Sequence, residues 1–218
     1  MKITLKEVSN LNDNFYRWFG KSKVVDKNGK PLVVHHGTKG EWEDTTIFIP
    51  SLKNDIGSHF GTKDQANKIL IPSEPEEIID LDSKYYKYMR MMPCYLKIEN
   101  PLYLEDLLTW DMDSMGDTLT DLYIMDDIEV FKLSKLYRRH SFGAKTRTEE
   151  SDDILSFIQE KIIRALKKAG YDGIIYENQT EGVGESFMVF RPNQIKSIFN
   201  KGTWNPKSSK INENIGSV

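Results

Sequence analysis

The chain has 218 residues, with Lys and Arg numbering 30 against 33 Asp and Glu, a net charge of -3. That balance excludes a protein that grips polyanions with its whole surface, and the length suits one domain with insertions and a real core. Cys94 is alone, which excludes an intrachain disulfide and suits a reducing compartment. No stretch is long enough to span a bilayer and no apolar leader opens the sequence, so the expectation is a soluble, cytoplasmic protein with no membrane partner.

In chain order, residues 10–20 read as a short helix whose Phe15, Trp18 and Phe19 share one face, stopped by Gly20 and packed on the next element. That element is a β-hairpin. Val24-Val25 and Leu32-Val33-Val34 flank Asn28-Gly29, a turn pair suited to two positive φ angles. Its second strand runs into His35-His36-Gly37-Thr38, where a glycine lets a ligand approach the backbone. A histidine at a strand end is expected to carry little packing. Residues 39–62, with Gly40, Trp42, Phe48, Pro50, Gly57 and Gly61, read as loop with short strands. His59 and Phe60 alternate if they lie on a strand, one facing the core and the other a cleft. A helix follows from Lys63 to Ile71, with Asp64 in its first turn and Pro72 ending it.

Residues 73–91 begin acidic and end rich in tyrosine, as a variable connection. Pro93 to Ile98 reads as a strand broken by Asn100-Pro101, and Leu102 to Trp110 as a short helix. Glu105 to Glu129 is acidic. Lys135 to Arg147 is basic and, at Gly143, loop-like; a phosphate-binding patch is one reading, but two solvated faces that pair loosely is the preferred one. Ser151 to Ala169 is the clearest helix, capped by Ser151 and closed by Gly170. Tyr171-Asp172-Gly173 turns into a buried strand, Gly182 and Gly184 mark a tight loop, and Glu185-Ser186 opens the strand Phe187 to Phe190. Arg191 to Gln194 turns the chain and Ile195 to Phe199 packs back. Past Gly202 the polar sequence is expected to lie on the surface or fray, giving one domain over 1–206 and a tail over 207–218.

Taken together, four segments resemble the ADP-ribosyltransferase domains of phage and mobile-element polyvalent proteins. They are Trp18 to Thr38, Gly57 to Thr62 with Gln65-Ala66, Gly170 to Tyr176, and Glu185 to Ser197, spanning roughly residues 15 to 206 in order. The resemblance implies an α+β fold of two packed, mostly antiparallel short sheets with flanking helices and an NAD cleft, similar to ADP-ribosylating toxins and the poly(ADP-ribose) polymerase core. It implies a mono-ADP-ribosyltransferase that uses NAD as substrate, needs no metal and modifies a macromolecule, with a host protein side chain first among acceptors. DNA or RNA modification, NAD hydrolysis and a non-catalytic NAD-binding module stay open.

The chemistry fits those residue types. The bond between ribose and nicotinamide breaks through an oxocarbenium-like state, which a carboxylate stabilises more than it stabilises the neutral sugar. The resemblance assigns a ribose contact to His36, with Gly37 and Thr38 beside it, while His35 points to the opposite strand face. It places His59 where a stacking aromatic stands, with Phe60 alongside. It puts Ser186 where a glutamate is often found, one residue after Glu185. Glu185 is then the catalytic carboxylate if Gly184 permits a bulge, or the site works without that acid. Gln194 matches a structural glutamine.

Overall fold

The computed structural model describes residues 12–39, 47–48, 52, 55–71, 89–141, 148–201 and 203–213. Trp42, Pro50, the acidic and tyrosine-rich connection, Gly143 and the last five residues lie outside them. The described elements run α1 (Asp13–Phe19), β1 (Val34–Thr38), β2 (Ser58–Phe60), α2 (Lys63–Leu70), β3 (Arg90–Leu96) and β4 (Pro101–Glu105). They continue with α3 (Met112–Asp121), α4 (Asp127–Ser141), α5 (Glu149–Lys168), β5 (Gly173–Glu177), β6 (Glu185–Val189), a 3-10 turn (Pro192–Gln194) and β7 (Ile195–Ser197). One sheet has the order β1-β3-β7 and the other β2-β6-β5-β4. All pairs are antiparallel except β4 with β5. The arrangement is the α+β fold of two mostly antiparallel sheets that the resemblance implies.

Period-two burial divides the apolar residues among three cores. Cys94 and Leu96 of β3 meet Ile175, Phe187 and Val189 between the sheets. Tyr95 points the other way, onto Phe15, Trp18, Phe19 and Trp204, so α1 covers the outer face of the first sheet. Ile174, Tyr176 and Met188 face away from that inter-sheet core and pack under Met112, Met115, Leu119 and the Ile158-Ile162-Leu166 stripe of α5. The α1 aromatic face also meets Val25 and Val33 of the hairpin, as its spacing anticipates.

Four local expectations change. The hairpin is held by a single bridge, Val25 to Pro31. Its turn runs Asp26 to Lys30 with only Gly29 in the positive range, at φ 74. Asp26 organises it, its carboxylate accepting from Asn28 N at 2.8 Å and Lys30 N at 2.9 Å. A three-residue loop of this kind needs one left-handed residue rather than two. The run from Leu102 is not a helix but begins the parallel strand β4; Leu102 and Leu104 turn toward the helix-side core while Tyr103 is exposed. The parallel pairing is made possible by the long α3–α5 crossover. The long helix starts two residues before Ser151. Thr148 is its cap, accepting from Ser151 N at 3.2 Å. The start of the basic stretch is helical, as the last turns of α4, and Arg138 Nε pairs with Asp113 at 2.9 Å, in line with loosely paired solvated faces.

Two buried polar side chains tie the far end together. Gln194 uses its whole amide: Oε1 accepts from Phe190 N and Arg191 N at 3.2 and 3.0 Å, and Nε2 donates to Lys97 O and Asp172 O at 2.9 and 2.7 Å. Lys196 is wholly buried and donates to Ser208 O at 3.0 Å and Lys210 O at 2.7 Å, with Glu213 Oε1 at 3.6 Å. Ile211 enters the inter-sheet core. Residues 203–213 are therefore fastened to the body rather than frayed, because a buried ammonium needs their carbonyls and carboxylate. Deleting residues 207–218 is expected to cost about 3 kcal/mol or more of unfolding free energy, the scale for breaking a buried ion pair, read by denaturant unfolding. Unchanged stability would restore the loose tail.

Candidate active site

The sheets are joined where β1 meets the residue after β2. His35 N donates to Gly61 O at 2.8 Å and Gly61 N to His35 O at 3.0 Å. A cavity of about 300 Å³ opens at this junction. Helix α2 roofs one side and presses so close that a Cβ on Gly37 would stand 2.3 Å from Ala66 O. Gly37 is thus required by the helix as well as by any ligand, since a side chain there has no room.

His36 turns toward the inter-sheet core. Its ring lies 5.0 Å from Phe48 and 5.3 Å from Phe60, centroid to centroid, and its Nδ1 donates to the His59 carbonyl at 2.7 Å. A carbonyl only accepts, so Nδ1 carries the proton. Burial pushes the His36 pKa down, against the pull of that hydrogen bond, which keeps the ring neutral. The ring is packed, contrary to the expectation for a strand-end histidine. His35 also borders the cavity, and burial pushes its pKa down too.

His59 and Phe60 divide as alternation requires. Phe60 packs on His36 and Phe48 in the core, touching the cavity floor. His59 stands on the other face beside Trp110 and Tyr176, at 6.2 and 6.0 Å between centroids. Its Nδ1 is 3.0 Å from the Tyr176 hydroxyl and its Nε2 2.7 Å from Asp55 Oδ2.

Ser186 borders the cavity and is 2 % exposed. It accepts from Asn178 Nδ2 at 2.9 Å and donates to Gln65 Oε1 at 3.3 Å. Glu185 does not reach the cavity wall. The β5–β6 register runs unbroken from Gly173–Val189 to Glu177–Glu185, so no bulge intervenes. Alternation then sends Ser186 inward with its partner Tyr176, and leaves Glu185 exposed. The positive φ of Gly184, 125°, serves the loop before the strand instead. Thr38, paired with Arg90 at the end of β1, is also not among the residues bordering the cavity.

Several side chains join the site unannounced. Glu181, whose position beside Gly182 suggests a loop tip, borders the cavity and accepts from Asn178 Nδ2 at 2.7 Å. The signal for it is Asn178 itself, whose Oδ1 accepts from Thr180 N at 3.0 Å and Glu181 N at 2.8 Å. Asn followed by Glu three residues on is a pattern that folds the chain back on its own amides. Asp106 also borders the cavity but is committed to the loops. It accepts from Leu108 N at 2.9 Å, Gln179 N at 2.9 Å and Thr180 Oγ1 at 3.3 Å. Burial works to raise its pKa, but those hydrogen bonds prevail and hold it below the ordinary carboxylate value. Among the described residues the cavity is bordered by carboxylates and histidines, with no Lys or Arg, and no group of three or more His, Cys, Asp or Glu is placed to hold a metal ion.

The two part-buried histidines of β1 carry a pH signature. Their folded pKa lies below the unfolded value of 6.5, so the unfolded chain binds protons first as pH falls. Their contribution is complete above 6.5 and is lost as pH drops toward the folded value. Denaturant midpoints should therefore fall between pH about 7 and about 5.5, and less steeply in His36→Gln. An identical slope in parent and variant would contradict the neutral, part-buried His36.

A family model described as ADP-ribosyltransferase in polyvalent proteins matches residues 26–205, from the hairpin turn to the segment beyond β7. No curated protein and no solved structure matches the chain. Among the described residues no helix is long and apolar enough to cross a membrane. The matched residues carry both sheets and every described residue bordering the cavity, and on that coverage the chain belongs to the ADP-ribosyltransferase family of polyvalent proteins.

Proposed function

We propose that this chain is a mono-ADP-ribosyltransferase that cleaves NAD at the nicotinamide bond in the cavity between His36 and Glu181. The observation that supports it is the composition of that cavity within a family that uses NAD: carboxylates, neutral imidazole and large aromatic rings without a Lys or Arg among the described lining. Such a wall suits the cationic nicotinamide-ribose end of NAD, while the pyrophosphate points elsewhere. Trp110 and Tyr176 border the end that takes the pyridinium, and His36 holds the ribose side with Gly37 and His59.

The carboxylate for the oxocarbenium is Glu181 rather than Glu185. Of the three acids that border the cavity among the described residues, Asp55 faces His59 and Asp106 holds loop amides, whereas Glu181 is steadied by one Asn178 amide hydrogen bond. Ser186, in the strand position where a glutamate is often found, supports Asn178 and thereby Glu181. The acceptor is a macromolecule, with a host protein side chain first, and the reaction takes place in the cytoplasm of a phage-bearing or element-bearing host; the resemblance to phage and mobile-element proteins supports that setting. A second reading, an NAD-binding module without catalysis, draws on the outward Glu185.

Two measurements test this. Glu181→Gln should lower the rate of nicotinamide release about a hundredfold or more with little change in KM, and Glu185→Gln should stay near the parent. The reverse order would return the role to Glu185, and no release by the parent would favour the binding module. Labelled NAD in host lysate, followed by protease or nuclease, should give label that protease removes. Label removed only by nuclease would move the acceptor to nucleic acid.

A further inference from the structure

Along one wall of the cavity Asp55, His59 and Tyr176 stand in a line, drawn from the segment before β2, from β2 and from β5. Asp55 Oδ2 is 2.7 Å from His59 Nε2, and His59 Nδ1 is 3.0 Å from the Tyr176 hydroxyl. All three border the cavity. A carboxylate beside Nε2 favours the tautomer protonated there, which leaves Nδ1 to accept from the phenol. The carboxylate sits off the axis of the ring N–H, so its pull is electrostatic in the first place. Burial pushes the phenol pKa up, so Tyr176 rests protonated, as a donor to His59.

Nicotinamide departure asks for no acid. The ring nitrogen keeps the electron pair of the broken C1–N bond, and the cationic pyridinium leaves as a neutral base. The proton problem lies with the incoming group. Resting on the NAD-cleaving reading above, we propose that Asp55, His59 and Tyr176 form a proton-accepting relay for the acceptor. The acceptor accordingly reacts through a group that must lose a proton, as a hydroxyl does, rather than through a side-chain carboxylate.

In that step the acceptor oxygen forms its bond to ribose C1 as the C1–N bond breaks. The hydroxyl proton passes to the Tyr176 oxygen while the phenol proton moves to His59 Nδ1. The imidazolium faces the Asp55 carboxylate, which offsets its charge, and returns the proton to solvent after the product leaves. Tyr176 is the catalytic residue that touches the acceptor, and Asp55 positions and polarises His59. No oxidant, reductant or metal enters the balance. A carboxylate acceptor has no proton to lose and gains nothing from such a relay.

The test uses the full chain, NAD, and two small nucleophiles: water, which must lose a proton, and azide, which has none to lose. The products are ADP-ribose and ADP-ribosyl azide, and their ratio is read within one sample, so it does not depend on the folded fraction. In Tyr176→Phe and His59→Gln the azide-to-water product ratio should rise about tenfold or more over the parent, since general base catalysis contributes at least that to capture by water. Asp55→Asn should shift it the same way by less. An unchanged ratio in Tyr176→Phe and His59→Gln, with nicotinamide still released, would overturn the relay and leave the NAD-cleaving site standing. No nicotinamide release by the parent with either nucleophile would overturn the NAD reading and the relay with it.

Discussion

One buried amide holds the candidate site in place. Gln65, in the first turn of α2, accepts from Thr62 N at 2.7 Å and Ser186 Oγ at 3.3 Å, and donates to Gly182 O at 2.9 Å and Gly184 O at 3.1 Å. A buried amide left without partners costs more than the same bonds contribute when made, so α2, the loop before β6 and the strand itself are constrained together. The amide lies so near Gly61 that a Cβ there would stand 2.2 Å from Gln65 Oε1. Gly61 in turn carries the backbone bridge to His35 that joins the sheets. The positions of Glu181, Ser186 and the two β1 histidines therefore descend from one set of hydrogen bonds.

That constraint explains how a strand that opens with an outward Glu185 and an inward Ser186 still leaves a carboxylate at the cavity. The β5–β6 pairing is unbroken, so a glutamate at 185 has to face outward. Ser186 is small enough to bond both Gln65 and Asn178, and Asn178 in turn holds Glu181 at the cavity. Under the proposed function, fixed partners of this kind let a carboxylate meet developing positive charge without reorganising. The same wall keeps His36 neutral by burial, with its Nδ1 proton on the His59 carbonyl.

Much of the scaffold was legible because it rests on local rules. Gly20 ending α1, Asp64 in the first turn of α2, the stripe of α5 and the Gly173 entry into β5 all follow from caps and periodicity. Leu102 misled because a short apolar run reads equally as helix or strand, and only the parallel partner β5 decides. The site was half legible. His36 and His59 sit at the cavity as their motif positions imply, but Glu185 was distinguishable from Ser186 only by a register that the loop glycines obscure. Asp55 and Trp110 arrive from segments remote in sequence and carry no motif of their own, and Glu181 is announced only by Asn178 before it. The buried Lys196 hid the docking of the last residues, since a lone lysine on a strand announces nothing about the carbonyls that will surround it.

The most direct measurement is a crystal structure of the chain with an NAD analogue whose nicotinamide bond cannot break. The account predicts the nicotinamide against Trp110 and Tyr176, and ribose C1 nearer the Glu181 carboxylate than that of Glu185. An analogue bound outside the junction of β1 and β2, or one whose C1 lies against Glu185 after a shift of the loop, would contradict it.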